Sequence, residues 1–235
     1  MAERKWTMIV DLDKCTGCQA CVVACHAENN VPIASETEVI RGRGMHWIRI
    51  ERYWEGEFPD VKAKFMPVFC QQCGEAPCEP VCPTYASYHS EVENLNVQVY
   101  NRCVGTRYCG NNCPYKVRYF NWYAPEFDEP LNQQLNPDVT VRSPGVMEKC
   151  TFCIQRIRRA AETANAEGRE IEDGEVVPAC VQACPADVFT FGDAYDPDSR
   201  VAQMIPHERQ FKLLEHLGTE PSVYYLKGGE TNVGE

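Results

Sequence analysis

Cys15-Thr16-Gly17-Cys18-Gln19-Ala20-Cys21-Val22-Val23-Ala24-Cys25 sets four thiols at the intervals C-x-x-C-x-x-C-x-x-x-C. In such a run three thiolates wrap one iron–sulfur cluster and the fourth reaches a different one. Three more blocks follow. Cys70-x-x-Cys73-x-x-x-x-Cys78-x-x-x-Cys82 is closed by Pro83. Cys103-x-x-Thr106-x-x-Cys109-x-x-x-Cys113, closed by Pro114, carries a threonine where the run asks for its second cysteine. Cys150-x-x-Cys153 is completed, after a long insertion, by Cys180-x-x-x-Cys184 and Pro185. Four blocks predict four clusters, and four clusters in one chain predict an electron wire.

Working outward, the blocks repeat one unit: a short strand, a Cys-rich loop, a short helix, then Cys-Pro and another strand. Met8-Ile9-Val10 enters the first block and Val97-Gln98-Val99-Tyr100 the third, with the alternation of a strand. Thr84 to Tyr88 and Ala186 to Phe191 are the strand-like exits of the second and fourth. Proline after the last cysteine stops each helix, and His26 takes its place in the first block. Two units make one two-cluster module. Blocks two and three are adjacent and pair, which leaves one and four to pair around them. The predicted fold class is therefore α+β: two bacterial-type two-cluster ferredoxin modules of βαβ repeats, one inserted within the other, with long loops.

The expected divisions are an outer module at residues 1–66 plus 140–200, an inner module at 67–125, an extended connection at 126–146 rich in Pro and Asn, and a C-terminal tail at 206–235 lying on a partner. Trp47 to Ile50 reads as a strand. Glu148 to Ala166 reads as a helix with Ile154, Ile157, Ala161 and Ala164 at helical spacing, ended by Gly168.

Exchange of the fourth ligand between paired blocks gives four sets. Cys15, Cys18 and Cys21 take Cys184. Cys150, Cys153 and Cys180 take Cys25. Cys70, Cys73 and Cys78 take Cys113. Cys103 and Cys109 take Cys82, with Thr106 at the open corner. The sets use all fifteen cysteines. Zinc competes for C-x-x-C pairs, but it does not require the third cysteine of each run or the trailing Cys-Pro. A disulfide framework is disfavoured by the odd number of cysteines and the tight pairs.

Thr106 offers a neutral hydroxyl, a poor ligand for an iron built for thiolate. The expectation is a 3Fe–4S cluster there and three 4Fe–4S clusters elsewhere, the three-iron centre sitting at higher potential. The competing reading is that water, hydroxide or Thr106 itself retains the fourth iron. His26, His46, His89, His207 and His216 are read as structural or solvent-facing, because the ligand sets close without them. Arg102, Arg107, Lys116 and Arg118 flank the third block. They either offset cluster charge, face anionic lipid or quinone surroundings, or form a solvated basic face.

The chain has 235 residues, 44% of them hydrophobic, enough for one or two domains with an ordinary core. A formal net charge of -11 argues against a nucleic-acid partner and is compatible with a lysine-rich one such as a cytochrome. No membrane-spanning apolar stretch and no export signal is expected. Neither a Ser–His–Asp set, a Walker loop nor a G-x-G-x-x-G motif is present, so no independent active site is expected.

Over residues 5–195 the blocks resemble the four-cluster ferredoxin subunits of the complex iron–sulfur molybdoenzyme family, which includes the iron–sulfur subunits of polysulfide, dimethyl sulfoxide and nitrate reductases. A narrower resemblance rests on Tyr100-Asn101-Arg102-Cys103-Val104-Gly105-Thr106-Arg107-Tyr108-Cys109 with its continuation to Lys116, on Leu135 to Arg142, on Gly145 to Cys150, and on Pro221-Ser222-Val223-Tyr224-Tyr225-Leu226. These are similar to the iron–sulfur part of alternative complex III and of the related quinone reductase complex. In alternative complex III this part is commonly fused behind a large molybdopterin-like domain, whereas here it is expected to stand alone, with the large domain on a separate chain.

The resemblance implies three 4Fe–4S clusters and one 3Fe–4S cluster, with threonine at the second position of the third block. It implies an electron-transfer subunit in a respiratory or photosynthetic chain, working between a quinone site and haem c subunits. The implied partners are a polytopic quinone-binding membrane subunit of the polysulfide-reductase type, a molybdopterin-like large subunit and a multihaem cytochrome c. The implied location is the periplasmic face of the inner membrane, reached with a signal-bearing partner. The alternative is the electron-transfer subunit of a molybdopterin enzyme such as a polysulfide or sulfite oxidoreductase.

Overall fold

Trp6–Asp11 is a run of β-branched and large apolar residues, and as strand β1 it is buried along its whole length. The computed structural model describes residues 4–228. In chain order the further strands are β2 (Ile48–Glu55), β3 (Lys62–Phe69), β4 (Ser87–Ser90), β5 (Leu95–Gln98), β6 (Tyr119–Phe120), β7 (Met147–Glu148), β8 (Phe189–Asp193), β9 (Gln210–Phe211) and β10 (Val223–Leu226). The helices are α1 (Ala20–Glu28), α2 (Glu36–Ile40), α3 (Tyr108–Asn112), α4 (Ile154–Glu167), α5 (Ala179–Gln182) and α6 (Arg200–Met204). Small helices and small sheets mixed along one chain make the fold α+β.

One four-stranded sheet, ordered β8-β1-β10-β9, organises the molecule. β1 runs antiparallel to β8 and parallel to β10. The strand before the first cysteine block thus pairs with the strand after the fourth. β4 and β5 form an antiparallel hairpin between the second and third blocks, and β6 pairs with β7 across the connection. The sheet's inner side chains pack with Phe69 and Phe152: Trp6 stacks on Phe191 at 5.4 Å, and Phe152 meets Phe191 edge-on at 5.3 Å. A second apolar cluster joins Val68, Val117 and Met147 to Cys70, Cys73, Cys78, Cys109 and Cys113. Among the described residues no helix is long and apolar enough to cross a membrane.

Two helix expectations are corrected below. Within the segment 206–235, expected as a tail on a partner, Val223–Leu226 is inserted between β1 and β9 of this chain's own sheet, and Tyr225 is fully buried. Its alternation of apolar side chains completes a sheet that β1 and β8 leave open. The part of that expectation covering 229–235 lies outside the described residues. The helix expected from Glu148 begins at Ile154, because Met147 and Glu148 pair with β6 and both Phe152 and Cys153 are left-handed. Its buried stripe is Ile157, Ala160 and Ala164 rather than Ala161, and Gly168 ends it at φ 67°.

Most of residues 126–146 are exposed or half-buried, and hydrogen bonds pin them. Arg142 is buried and donates to the Asn29 carbonyl at 2.6 Å and to Glu148 at 3.0 Å. The Asn30 side-chain amide reaches the Asn136 carbonyl at 2.9 Å.

Candidate metal centres

The four cysteine blocks share one backbone shape. The residue preceding the second ligand position is left-handed in all of them: Gly17 at φ 73°, Gln72 at 46°, Gly105 at 72° and Phe152 at 56°. Three residues after each Cys-Pro cysteine the chain is left-handed again, at Tyr85, Lys116 and Asp187. These turns curl the loop so that N–H groups point at sulfur. Ala86 donates to the Cys82 sulfur at 3.1 Å, Val188 to Cys184 at 3.4 Å and Phe152 to Cys150 at 3.5 Å. Met147 donates to Cys103 at 3.3 Å. Such donors favour thiolate over thiol. At Cys82 burial acts the other way, but the amides of Ser87, Thr84 and Ala86 outweigh it and bring the thiol below its ordinary pKa.

At Gly17 the shape leaves no room for a side chain, since a Cβ would meet the Phe65 ring at 2.5 Å. The third block copies the first through Gly105-Thr106-Arg107, with Arg107 at φ 60° matching Gln19 at 64°. Thr106 therefore stands where Cys18 stands in its own loop, and like Cys18 it is exposed.

The fold gathers the cysteines across long sequence distances. Cys15, Cys18, Cys21 and Cys184 line one cavity with Ile50, Pro67 and Phe189. Cys25, Cys150, Cys153 and Cys180 line a second with Met8, Phe69 and Phe152. Cys70, Cys73, Cys78 and Cys113 lie near enough for each to act on the charge of the others. Cys103 and Cys109 sit at the same apolar cluster around Met147, while the contacts of Cys82 are local, to Thr84 and Ala86. All fifteen cysteines are free of disulfides. Among the described residues no three His, Cys, Asp or Glu side chains are arranged to hold a single metal ion.

These groups are neighbours in a fixed order. Cys180 feels Cys21, and Cys150 feels Cys70. Arg118 lies against both Cys78 and Cys109. The first set therefore adjoins the fourth, the fourth adjoins the second, and the second adjoins the third.

Burial, then mutual repulsion, pushes Cys21 and Cys73 up to about 12 and Cys25 and Cys180 well above an ordinary thiol. Burial does the same to Cys150, again to about 12. Four bare thiolates would repel one another in such sites; a cationic iron–sulfur core bound to all of them removes the repulsion and deprotonates them outright. The donor set fits a cluster.

Several residues that serve these sites are not visible from spacing. Asn29, at the end of α1, turns its side-chain amide to Cys25 at 3.6 Å and Cys153 at 3.8 Å. Thr219, from the supposed tail, reaches Cys73 and holds the Tyr115 hydroxyl at 2.5 Å. Lys149 is fully buried beside Cys150, although in the sequence it follows the charged Glu148 and carries no signal of burial.

The basic group at the third block divides. Arg118 is buried against thiols, whereas Arg102, Arg107 and Lys116 are exposed. Arg107 covers the rings of Phe120 and Trp122 at 5.2 Å and 4.8 Å. Of the histidines, His26 and His46 hydrogen-bond each other at 3.1 Å, and His89 bonds Asn94 at 2.8 Å.

Two models of a 4Fe-4S dicluster domain match the chain, over residues 14–86 and 61–129. The menaquinone reductase iron-sulfur cluster-binding subunit of Nitratidesulfovibrio vulgaris is 44% identical, over 96% of this chain and 90% of its own length. A putative dimethyl sulfoxide reductase iron-sulfur subunit of Halobacterium salinarum is 36% identical over 94% and 78%. A sulfite dehydrogenase subunit of Allochromatium vinosum is 33% identical over 96% and 84%.

Proposed function

From a chain that belongs to the iron–sulfur subunits built on 4Fe-4S dicluster ferredoxin domains, we propose the electron-transfer subunit of a membrane-bound quinol:electron acceptor oxidoreductase. The observation that carries this reading is the order of the four cysteine sets, each adjoining the next. Clusters held there supply one-electron storage at spacings fixed by the protein. The 44% identity to a menaquinone reductase subunit supports the quinone-linked form over the other relatives at 36% and 33%.

In this reading Cys15, Cys18, Cys21 and Cys184 hold one 4Fe–4S cluster. Cys150, Cys153, Cys180 and Cys25 hold a second, and Cys70, Cys73, Cys78 and Cys113 a third. Cys103, Cys109 and Cys82 hold a 3Fe–4S cluster, with Thr106 at its open corner. Residues 67–125 form the inner module, inserted within the outer one; the β1–β8 pairing supports that arrangement. The chain's own residues deliver amide donors to sulfur, exclude water from the inner sets and keep each thiolate at its corner.

The partners in this reading are a polytopic quinone-binding membrane subunit, a molybdopterin-like large subunit and a multihaem cytochrome c. The complex sits on the periplasmic face of the inner membrane, as in alternative complex III or a quinone reductase complex. The exposed rim of Val104, Tyr108 and Trp122 around the third block suits docking near the quinone.

Electron paramagnetic resonance of the oxidised complex tests this reading. A near-isotropic signal of about one spin per chain is expected from the three-iron centre, and Thr106→Cys is expected to abolish it. A silent oxidised spectrum sinks the Thr106 argument. Molybdenum in the large partner would move the assignment to a molybdopterin enzyme such as a polysulfide or sulfite oxidoreductase.

A further inference from the structure

Among the described residues, Arg118 and Lys149 are buried among the cysteine sets with no carboxylate within ion-pair distance. Arg118 is 7% exposed and Lys149 fully enclosed. Arg118 donates from Nη1 to the Cys78 sulfur at 3.1 Å and to Asn96 Oδ1 at 3.2 Å, and from Nη2 to Gln98 Oε1. Lys149 Nζ donates to the carbonyls of Asn96 and Cys150, the latter at 3.0 Å. By contrast, Arg142, also buried, faces Glu148 at 3.0 Å.

A buried charge left without an opposite charge is expensive, several kcal/mol per ion by continuum reasoning. Something anionic must offset Arg118 and Lys149: Arg118 faces the Cys78 sulfur, and Lys149, held by two carbonyls, lies within electrostatic reach of Cys78 and Cys150. Each also stands at a junction. Arg118 lies between Cys78 of the second set and Cys109 of the third. Lys149 lies between Cys78 of the second set and Cys150 of the fourth. Asn96 binds both cations, so one amide side chain and its own carbonyl hold the two in register.

The geometry points to Arg118 and Lys149 as the residues that set the reduction potential of the cluster at Cys70, Cys73, Cys78 and Cys113 and share that effect with its two neighbours. The inference rests on reading the thiolate sets as cluster sites. Reduction adds one negative charge to a cluster, and a fixed cation in a low-dielectric interior favours the more negative state. A hydrogen bond to ligand sulfur acts in the same direction.

At the remaining junction, Cys21 with Cys180, the arginine acting on Cys180 is Arg156, which is already paired with Glu28 at 2.6 Å.

The test is a potentiometric titration of the intact complex followed by electron paramagnetic resonance, with iron and sulfide counted in each sample. Arg118→Gln and Lys149→Gln are each expected to shift the one-electron equilibrium of the affected cubane about tenfold toward the oxidised form, which is about 59 mV downward. Arg118→Gln should also perturb the third-set signal, and Lys149→Gln a second cubane. Arg118→Lys and Lys149→Arg, which keep the charge, should restore most of the shift.

Unmoved midpoints in fully loaded glutamine variants overturn the inference and leave the electron-transfer reading standing. A wild-type complex without iron and sulfide overturns that reading itself. Should both glutamine variants fail to load, pulsed resonance on Arg156→Lys complex labelled with 15N in arginine decides, because Arg156 is the arginine beside Cys153 and Cys180. A coupled arginine nitrogen at a reduced cubane then supports the assignment of Arg118, and its absence refutes it.

Discussion

Replacing Tyr225 by phenylalanine tests whether β10 is an integral strand of the cluster-bearing sheet. The hydroxyl donates to the Pro67 carbonyl at 3.0 Å and accepts from Gln71 Nε2 at 3.3 Å. It therefore ties β10 to β3 and to the loop between Cys70 and Cys73. Phenylalanine keeps the ring against Phe211, at 5.7 Å between centroids, and removes only the two bonds. At about 1 kcal/mol net for each, the loss is about 2 kcal/mol.

Cluster loss to excess chelator reports this. Where opening of the sheet is fast and reversible, the rate of bleaching follows the open population, and about 2 kcal/mol is about thirtyfold. Tyr225→Ala adds the cavity left by an aromatic side chain, about 3–5 kcal/mol, and bleaches faster still. Tyr195→Phe, at an exposed site, is the control and should leave the rate unchanged. A Tyr225→Phe rate within twofold of wild type, measured in visible absorption, would refute the claim that the C-terminal strand guards the clusters.

Arg142→Met strands Glu148 in a site where both side chains are fully buried, and a loss of about 3–5 kcal/mol is expected, read as a lower unfolding midpoint; Arg142→Met with Glu148→Leu should recover most of it, and a double variant no better than the single one would contradict the pair. Burial opposes ionisation of Glu93, but hydrogen bonds from Ser90 and Arg158 outweigh it and hold its carboxyl below the usual range. The unfolded chain therefore binds the extra proton first. Stability from Glu93 is full above the unfolded pKa of about 4.5 and is lost as pH falls through the lower folded value. Glu93→Gln should flatten acid unfolding in that window, and an unchanged acid limb would exclude Glu93 as its source.

The sequence alone determined the cysteine blocks, their internal spacing and the odd position of Thr106. Those are local facts: ligand spacing is set by how a few residues curl around a cluster, and the left-handed turns at Gly17 and Gly105 follow the same short pattern. Helix α4 was legible because its small and apolar residues recur at helical period, although its start was not. That start depends on β7 pairing with β6, a contact that no window around Glu148 contains. The tertiary structure alone decided that residues 223–226 close the central sheet rather than trail from it. It also decided which cysteine set adjoins which. Finally, it separated Arg118 from the exposed arginines beside it and enclosed Lys149. Burial decides what a charge does, and burial is created by segments far apart in the chain: Asn96 and Lys149 lie 53 residues apart yet share one hydrogen bond. Spacing groups the cysteines; packing sets the charges around them.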